Sequence, residues 1–204
     1  MKQMFAGFFV AMIALLLVKS DQAQANTLIS DFNNLAISGA YNNFQTGTLT
    51  SSPTGFYIVA GDFGGMYTFV SPTINGSGNS AVQLKLDINP ATDPLAEKFN
   101  VVLFDNDPTP TQLRFEFRNL SAGAGQTLTL PISAGVVAAT GTTPGLDLSA
   151  ISQWHFQGTF GNGDPGKTLD VTLHNLSLVP EPSSLILAGI AVISAVLACR
   201  RRSR

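Results

Sequence analysis

Apolar and polar residues alternate through much of the middle of the chain. In residues 82–88, 113–118 and 153–157 every second side chain is apolar, and the side chains between them are polar or charged. This period of two is typical of a β-strand that has one face in a core and the other in water. Shorter runs of the same kind predict further strands at residues 35–40, 44–50, 56–60, 66–70, 99–104 and 127–132.

The chain between its two ends contains no convincing helical pattern. Strands without helices bury their apolar faces most simply as two packed antiparallel sheets. The predicted fold class is therefore all-β, an antiparallel jelly-roll-like β-sandwich.

The last predicted strand, residues 168–178, changes its alternation part-way, because the apolar positions after Leu173 are Leu176 and Leu178. A β-bulge at His174–Asn175 would return both sets of side chains to the core.

This closing segment also carries a family resemblance. Together with the preceding residues 146–157, it resembles the C-terminal part of galactose-binding-like jelly rolls, the fold of many carbohydrate-binding modules. Many of those modules have an Asp in the final strand where this chain has His174, which weakens the expectation of their structural calcium site. The resemblance implies the fold more than a ligand.

The N-terminus has the three parts of a secretory signal peptide. Lys2 supplies the charge, an apolar stretch covers residues 4–18, and Ala23-Gln24-Ala25 fits the cleavage pattern. We therefore expect residues 1–25 to be a signal peptide that signal peptidase cleaves after Ala25.

The C-terminal residues 179–204 form a second targeting segment. Pro180-Glu181-Pro182 precedes an apolar run, residues 185–199, and the arginines that follow are Arg200, Arg201, Arg202 and Arg204. The apolar run predicts a short transmembrane helix at about 183–199, and the arginines predict a cytoplasmic C-terminus. Everything upstream should then lie outside the cytoplasmic membrane.

This order of motif, helix and arginine cluster resembles the PEP-CTERM sorting signal of bacterial exported proteins. The resemblance implies that the membrane protease-transpeptidase exosortase recognises Pro180, Glu181 and Pro182, with the Arg200–Arg202 cluster behind the helix. It also implies a membrane-held precursor that becomes a cell-surface or extracellular protein. The resemblance covers the tail alone.

Charge and cysteine content restrict the domain predicted at residues 26–178. Its formal net charge is about −6, from five basic and eleven acidic residues. Without a basic patch, nucleic-acid binding has no electrostatic support. The single cysteine, Cys199, lies in the predicted membrane helix, so no intramolecular disulfide can form.

Residue patterns for catalysis or cofactor binding are weak. The two histidines, His155 and His174, have no metal-ligand spacing, and no G-x-S-x-G motif is present. Residues 161–168 match the P-loop pattern, but the residues after them alternate as a strand, whereas a P-loop leads into a helix. We therefore predict no enzyme activity, no cofactor and no metal site.

Among known metal-binding motifs, the sequence matches a calcium-binding loop most nearly, but only in part. Asp105, Asp107, Thr109 and Glu116 have its spacing, but Pro110 occupies the position that needs Gly. A turn rich in Asp and Pro is the preferred interpretation. Calcium held by some of the aspartates, such as Asp31 with Asp170, stays open as an alternative.

Two hypotheses about function follow, with a secreted hydrolase as a distant third. The first is a non-enzymatic envelope or extracellular-matrix protein, processed by exosortase. The second is a carbohydrate-binding module for extracellular polysaccharide. Its ligand would lie on a polar sheet face or on the aromatic segment 55–67. The preferred interpretation of that segment is that Phe56 and Tyr67 are core residues of two short strands, with residues 61–65 as their turn. The side chains of that polar face are Lys85, Arg114, Glu116, Gln153 and His155.

Overall fold

The structure is a computed structural model that describes residues 25–41, 50–60, 64–90, 92, 98–118, 120–159 and 169–180. Asn26–Val179 forms one compact unit. The described part of this unit contains twelve strands and two short 3-10 helices, Ile132–Ala134 and Leu148–Ala150. The strands are β1 (Thr27–Ser30), β2 (Gly39–Tyr41), β3 (Thr50–Ser52), β4 (Gly55–Ala60), β5 (Gly65–Ile74), β6 (Ala81–Ile88), β7 (Lys98–Asp105), β8 (Gln112–Arg118), β9 (Gly123–Pro131), β10 (Val136–Ala139), β11 (Ile151–Thr159) and β12 (Leu169–Val179).

The strands form two sheets of six, and every pairing is antiparallel. Sheet I has the order β3-β4-β12-β6-β9, with β1 paired to the second half of β12. Sheet II has the order β10-β8-β7-β11-β5-β2. This arrangement confirms the predicted all-β sandwich.

The core lies between the inner faces of the two sheets. Alternate residues of β6, β7, β8, β11 and β12 meet there, as their period of two predicts. Trp154 is 1% exposed and packs edge-on against Phe32, with ring centroids 5.3 Å apart. Phe99 stacks on Phe117 and Phe156 at 5.2 and 5.0 Å. Each such ring contributes about 1.5–3 kcal/mol by leaving water.

The predicted bulge in the last strand is confirmed. Leu173 lies opposite Leu86, but the next paired residue is Asn175, opposite Lys85, so His174 is the additional residue. Leu176 and Leu178 consequently return to the core beside Leu173.

One of the predicted strands needs correction, and another lies mostly outside the described residues. Of residues 35–40, only Gly39 and Ala40 are in a strand, because the chain turns beforehand at Phe32 and Asn34, which both have positive φ. Leu35 and Ile37 still pack against the core, and this accounts for their alternation. Of residues 44–50, only Thr50 lies within the described part of the chain, and it begins β3.

The two ends of the compact unit lie side by side. Thr27 of β1 is opposite Leu178 of β12, one residue before β12 ends at Val179. Within the described ranges, no helix has the length and apolar character needed to cross a membrane. The predicted membrane helix at 183–199 and the signal peptide up to residue 24 lie outside those ranges.

Candidate functional site

The outer face of sheet II is the most distinctive surface of the described chain. One of its two middle strands, β7, directs Asn100, Val102 and Phe104 away from the core, yet these side chains are only 3%, 7% and 7% exposed. They do not belong to the core cluster. These three side chains are therefore covered although they lie outside the core, and they form the floor of the outer face.

Four rings form a continuous row across this face, which we call the aromatic row. The centroids of Phe104 and His155 are 4.2 Å apart, and those of His155 and Tyr67 are 5.4 Å apart. Tyr67 then meets Phe69 edge-on at 5.7 Å. Phe69 is 61% exposed, so the row runs from a buried ring to one that lies open to solvent.

Ser38 and the strand that follows it, β2, hold the open end of the aromatic row in place. The Ser38 N–H donates to the Tyr67 carbonyl oxygen, and the Phe69 N–H donates to Ser38 Oγ, both at 3.0 Å. The Tyr67 ring lies across Gly39, where a Cβ atom would be 2.7 Å from Tyr67 Cε1. Gly39 is therefore the residue that allows the ring to lie flat beside β2.

His155 is neutral in this setting. The Gln153 amide nitrogen lies 2.7 Å from His155 Nε2. An amide N–H only donates, so Nε2 accepts and the ring proton is on Nδ1. Burial lowers the pKa of His155 to about 4, because the charged imidazolium is poorly solvated there. The centre of the face is thus uncharged above about pH 5.

The charged groups of the face lie on β7 and β8. Glu116 accepts from Lys98 Nζ at 2.9 Å and also pairs with Arg118. Burial alone raises the pKa of Glu116, but the hydrogen bond from Lys98 and the two nearby cations outweigh it, so the pKa lies below its usual value. Arg114 is half-buried and lies in the same cross-strand row as His155 and Tyr67.

The structure brings together four of the five residues predicted for the polar sheet face. Arg114, Glu116, Gln153 and His155 share the outer face of sheet II. Lys85 was placed wrongly, because it projects from β6 in sheet I. A period of two identifies the face of a strand but not the sheet to which that strand belongs.

The aromatic segment 55–67 divides between the two sheets. Phe56 is a core residue of β4, as the preferred interpretation predicts. The same interpretation is wrong for Tyr67, which lies on the outer face of sheet II. Tyr57 Oη donates to Asp170 at 3.1 Å in sheet I. Sequence reasoning missed Phe69, although Tyr67-Thr68-Phe69 alternates and so puts both rings on one face.

The aspartates considered for calcium have protein partners. Asp105 is fully buried and accepts the N–H groups of Thr111 at 2.9 Å and Asp147 at 3.2 Å. Asp170 accepts from Asn89 at 2.6 Å as well as from Tyr57. These contacts tie loops and strands together. No cluster of three or more potential metal ligands occurs among the residues that the structure describes.

The residues predicted for processing directly flank the compact unit or lie beyond the described ranges. Ala25 is exposed and precedes β1, and Pro180 is half-buried directly after β12. Ala23, Glu181, Pro182, Arg200, Arg201 and Arg202 lie outside the described residues.

Comparison with known proteins identifies the tail and the fold separately. Residues 178–202 match the PEP-CTERM protein-sorting motif, which confirms the resemblance of the tail and indicates an exported, sorted protein. No curated protein sequence matches the chain.

The sandwich is similar to solved carbohydrate-binding domains. The family 11 carbohydrate-binding module of cellulase Lic26A-Cel5E from Clostridium thermocellum has a TM-score of 0.54 at 14% identity, over 76% of this chain and 95% of that one. The Clostridium thermocellum family 11 module in complex with a β-1,3-1,4-mixed-linked tetrasaccharide has a TM-score of 0.55 at 13% identity, with the same coverage. An agarase, AgWH50C, has a TM-score of 0.50 at 14% identity, over 78% of this chain but only 25% of its own. The chain therefore joins a jelly-roll sandwich similar to family 11 carbohydrate-binding modules to a PEP-CTERM sorting motif.

Proposed function

We propose that the protein is a non-enzymatic, exported carbohydrate-binding protein of the cell envelope or extracellular matrix, and that it binds polysaccharide on the outer face of sheet II. The aromatic row is the observation that carries this proposal. The fold supports it, since solved structures of the same fold include a module bound to a tetrasaccharide.

The physics of the face suits sugar binding. An exposed aromatic ring offers a flat apolar surface to the C–H face of a sugar ring, and neighbouring polar groups can bond its hydroxyls. Phe69 and Tyr67 supply the ring surfaces, while Gln153 and Gln157 lie beside them on β11 as amide donors and acceptors. An open face also accommodates a long chain better than a closed pocket does.

The same face is poorly equipped for hydrolysis. Most glycosidases need two carboxyl groups on either side of the bond that they cleave. Among the described residues of this face, Glu116 is the only carboxylate, and two cations hold it ionised. A binding role without catalysis is therefore favoured over a secreted hydrolase.

The sorting part of the proposal rests on the two ends of the chain. Signal peptidase would cut after Ala25, and exosortase would act at Pro180–Pro182 while the predicted helix at 183–199 holds the precursor in the membrane. The PEP-CTERM match supports the second step. Strand β12 ends at Val179, so cleavage after it leaves both sheets whole. Mass spectrometry of the mature protein tests this, and an intact C-terminus at Arg204 in cells with active exosortase would contradict it.

Binding is tested with the full chain in mild detergent on an array of polysaccharides and in affinity electrophoresis. We expect retention by at least one polysaccharide and its loss in a Tyr67→Ala, Phe69→Ala double variant. The control is Leu28→Ala, which removes an apolar side chain that is 49% exposed on sheet I. Equal retention of the double variant and the control would show that the face of sheet II is not the binding site.

A further inference from the structure

Positive charge is concentrated on the same face that carries the aromatic row. The domain is acidic, yet three of its four described basic residues, Lys98, Arg114 and Arg118, lie on the outward side of β7 and β8. Glu116 is the one acidic side chain among them. Of the described aspartates, Asp105 ends β7 but is fully buried, and the rest are in sheet I or in the loops that follow β1, β7 and β10. The described residues of this face therefore carry an excess of about two positive charges on a negative domain.

Arg114 is the cation of this group that has no partner among the described residues. Glu116 lies two positions further along the same strand, but Lys98 and Arg118 occupy both of its oxygens. Across the sheet, Arg114 has Val102 on one side and Val136 on the other, and neither can accept a hydrogen bond through its side chain. His155, the next residue in the row, is neutral and hydrogen-bonded to Gln153. A half-buried guanidinium with five N–H donors thus has nothing on the described face to bind.

We propose that the ligand is an acidic polysaccharide, in which a ring carboxylate pairs with Arg114 while neighbouring sugar rings stack on Tyr67 and Phe69. This inference rests on the proposed function and specifies the ligand class. The guanidinium fork matches a carboxylate with two parallel N–H···O bonds, which a lysine cannot reproduce. A partly desolvated fork also gains more from such a pair than a fully exposed one.

The spacing of the face suits a polymer more than a single sugar. Arg114 is two strands from His155 and three from Tyr67 in the same row. At about 4.8 Å for each strand step, the Cα atoms of Arg114 and Tyr67 are roughly 14 Å apart. The charged contact and the aromatic contact would therefore fall on different sugar rings of one polysaccharide. A polymer with repeated carboxylates can then contact Arg114 and Tyr67 at the same time.

The experiment compares two forms of one polymer. The full chain in mild detergent is titrated with polygalacturonate and with the same polymer after complete methyl esterification, which removes the charge and keeps the backbone. We expect the acidic form to bind about tenfold more tightly, as for one hydrogen-bonded charge pair, and to weaken as salt rises. Arg114→Gln should abolish the difference between the two forms, and Arg114→Lys should restore only part of it.

Two controls separate this inference from the proposed function. Lys85→Gln removes an equal charge from sheet I and should preserve the preference. Urea unfolding confirms that each variant remains folded. Equal affinity for the two polymers, or a preference that survives in Arg114→Gln, overturns the acidic ligand and leaves carbohydrate binding intact. Retention by neutral glucans alone also overturns the acidic ligand and leaves carbohydrate binding intact. Retention by no polysaccharide overturns both proposals.

Discussion

Replacing Gly39 by alanine tests whether the position of the Tyr67 ring matters for binding. A Cβ atom at this position would lie 2.5 Å from Tyr67 Cζ, whereas ordinary van der Waals contact begins at 3.4 Å. The ring must therefore move by about 0.9 Å. The ring is the far end of a side chain, so the side chain rather than the backbone of β5 takes up this shift. The edge-on contact with Phe69 and the tilted contact with His155 would both be disturbed.

The expected effects on binding and on stability differ. One well-placed aromatic contact contributes about 0.5–1.5 kcal/mol, so Gly39→Ala should weaken polysaccharide binding by about 2- to 12-fold. Alanine in a strand is favoured over glycine by about 0.5–1 kcal/mol, which offsets the lost ring packing. The free energy of unfolding should therefore change by less than about 1 kcal/mol.

A double-mutant cycle with Tyr67→Ala isolates the cause. Without the Tyr67 ring, the added methyl group meets no obstacle, so Gly39→Ala should leave binding unchanged and raise stability by about 0.5–1 kcal/mol. Affinity comes from calorimetric titration, and stability comes from urea unfolding. If Gly39→Ala binds as well as the unmodified protein, or weakens binding equally in both backgrounds, the ring position does not determine binding.

Three further predictions concern stability. Asp105→Ala should lower the free energy of unfolding in urea by about 3 kcal/mol, because it leaves the N–H groups of Thr111 and Asp147 without their acceptor. A decrease of less than about 1 kcal/mol would refute this. Gly55→Ala should lower the free energy of unfolding by more than about 1 kcal/mol. Gly55 has a φ of +150°, and a Cβ atom there would lie 2.6 Å from the Leu173 carbonyl oxygen. An unchanged unfolding midpoint would refute this prediction. His155 has a folded pKa of about 4, below its unfolded value near 6.5, so its contribution to stability is full above pH 6.5 and is lost as pH falls towards 4. His155→Gln should reduce that decline in a pH series of unfolding curves, and an identical decline would contradict the pKa assignment.

Sequence periodicity predicts most of the sandwich, because the alternation within each strand shows which of its side chains are buried. The parity change after Leu173 is a local signal, and it located the bulge of β12. The same reasoning placed Arg114 and His155 correctly on one polar face but added Lys85 to it. Sheet membership depends on pairings between distant strands, and this is why Lys85 was assigned to the wrong face.

The finer features of the site were outside the reach of the sequence. Gly39 is important because Tyr67, which is 28 positions away, lies across it, and no local pattern records that contact. Asp105 looks like a turn residue, yet it accepts an N–H from Asp147 in a loop 42 residues later. Both roles follow from tertiary packing, whereas propensity and spacing describe only neighbours in the chain.

The central claim is that polysaccharide binds to the outer face of sheet II, and NMR chemical-shift mapping tests it most directly. Amide resonances of the full chain in detergent micelles are followed during titration with a galacturonate oligosaccharide. We expect the largest shifts at Tyr67, Phe69, Arg114 and His155, with little change at Lys85 on sheet I. Shifts that cluster on sheet I or in the loops at the ends of the sandwich would contradict the claim.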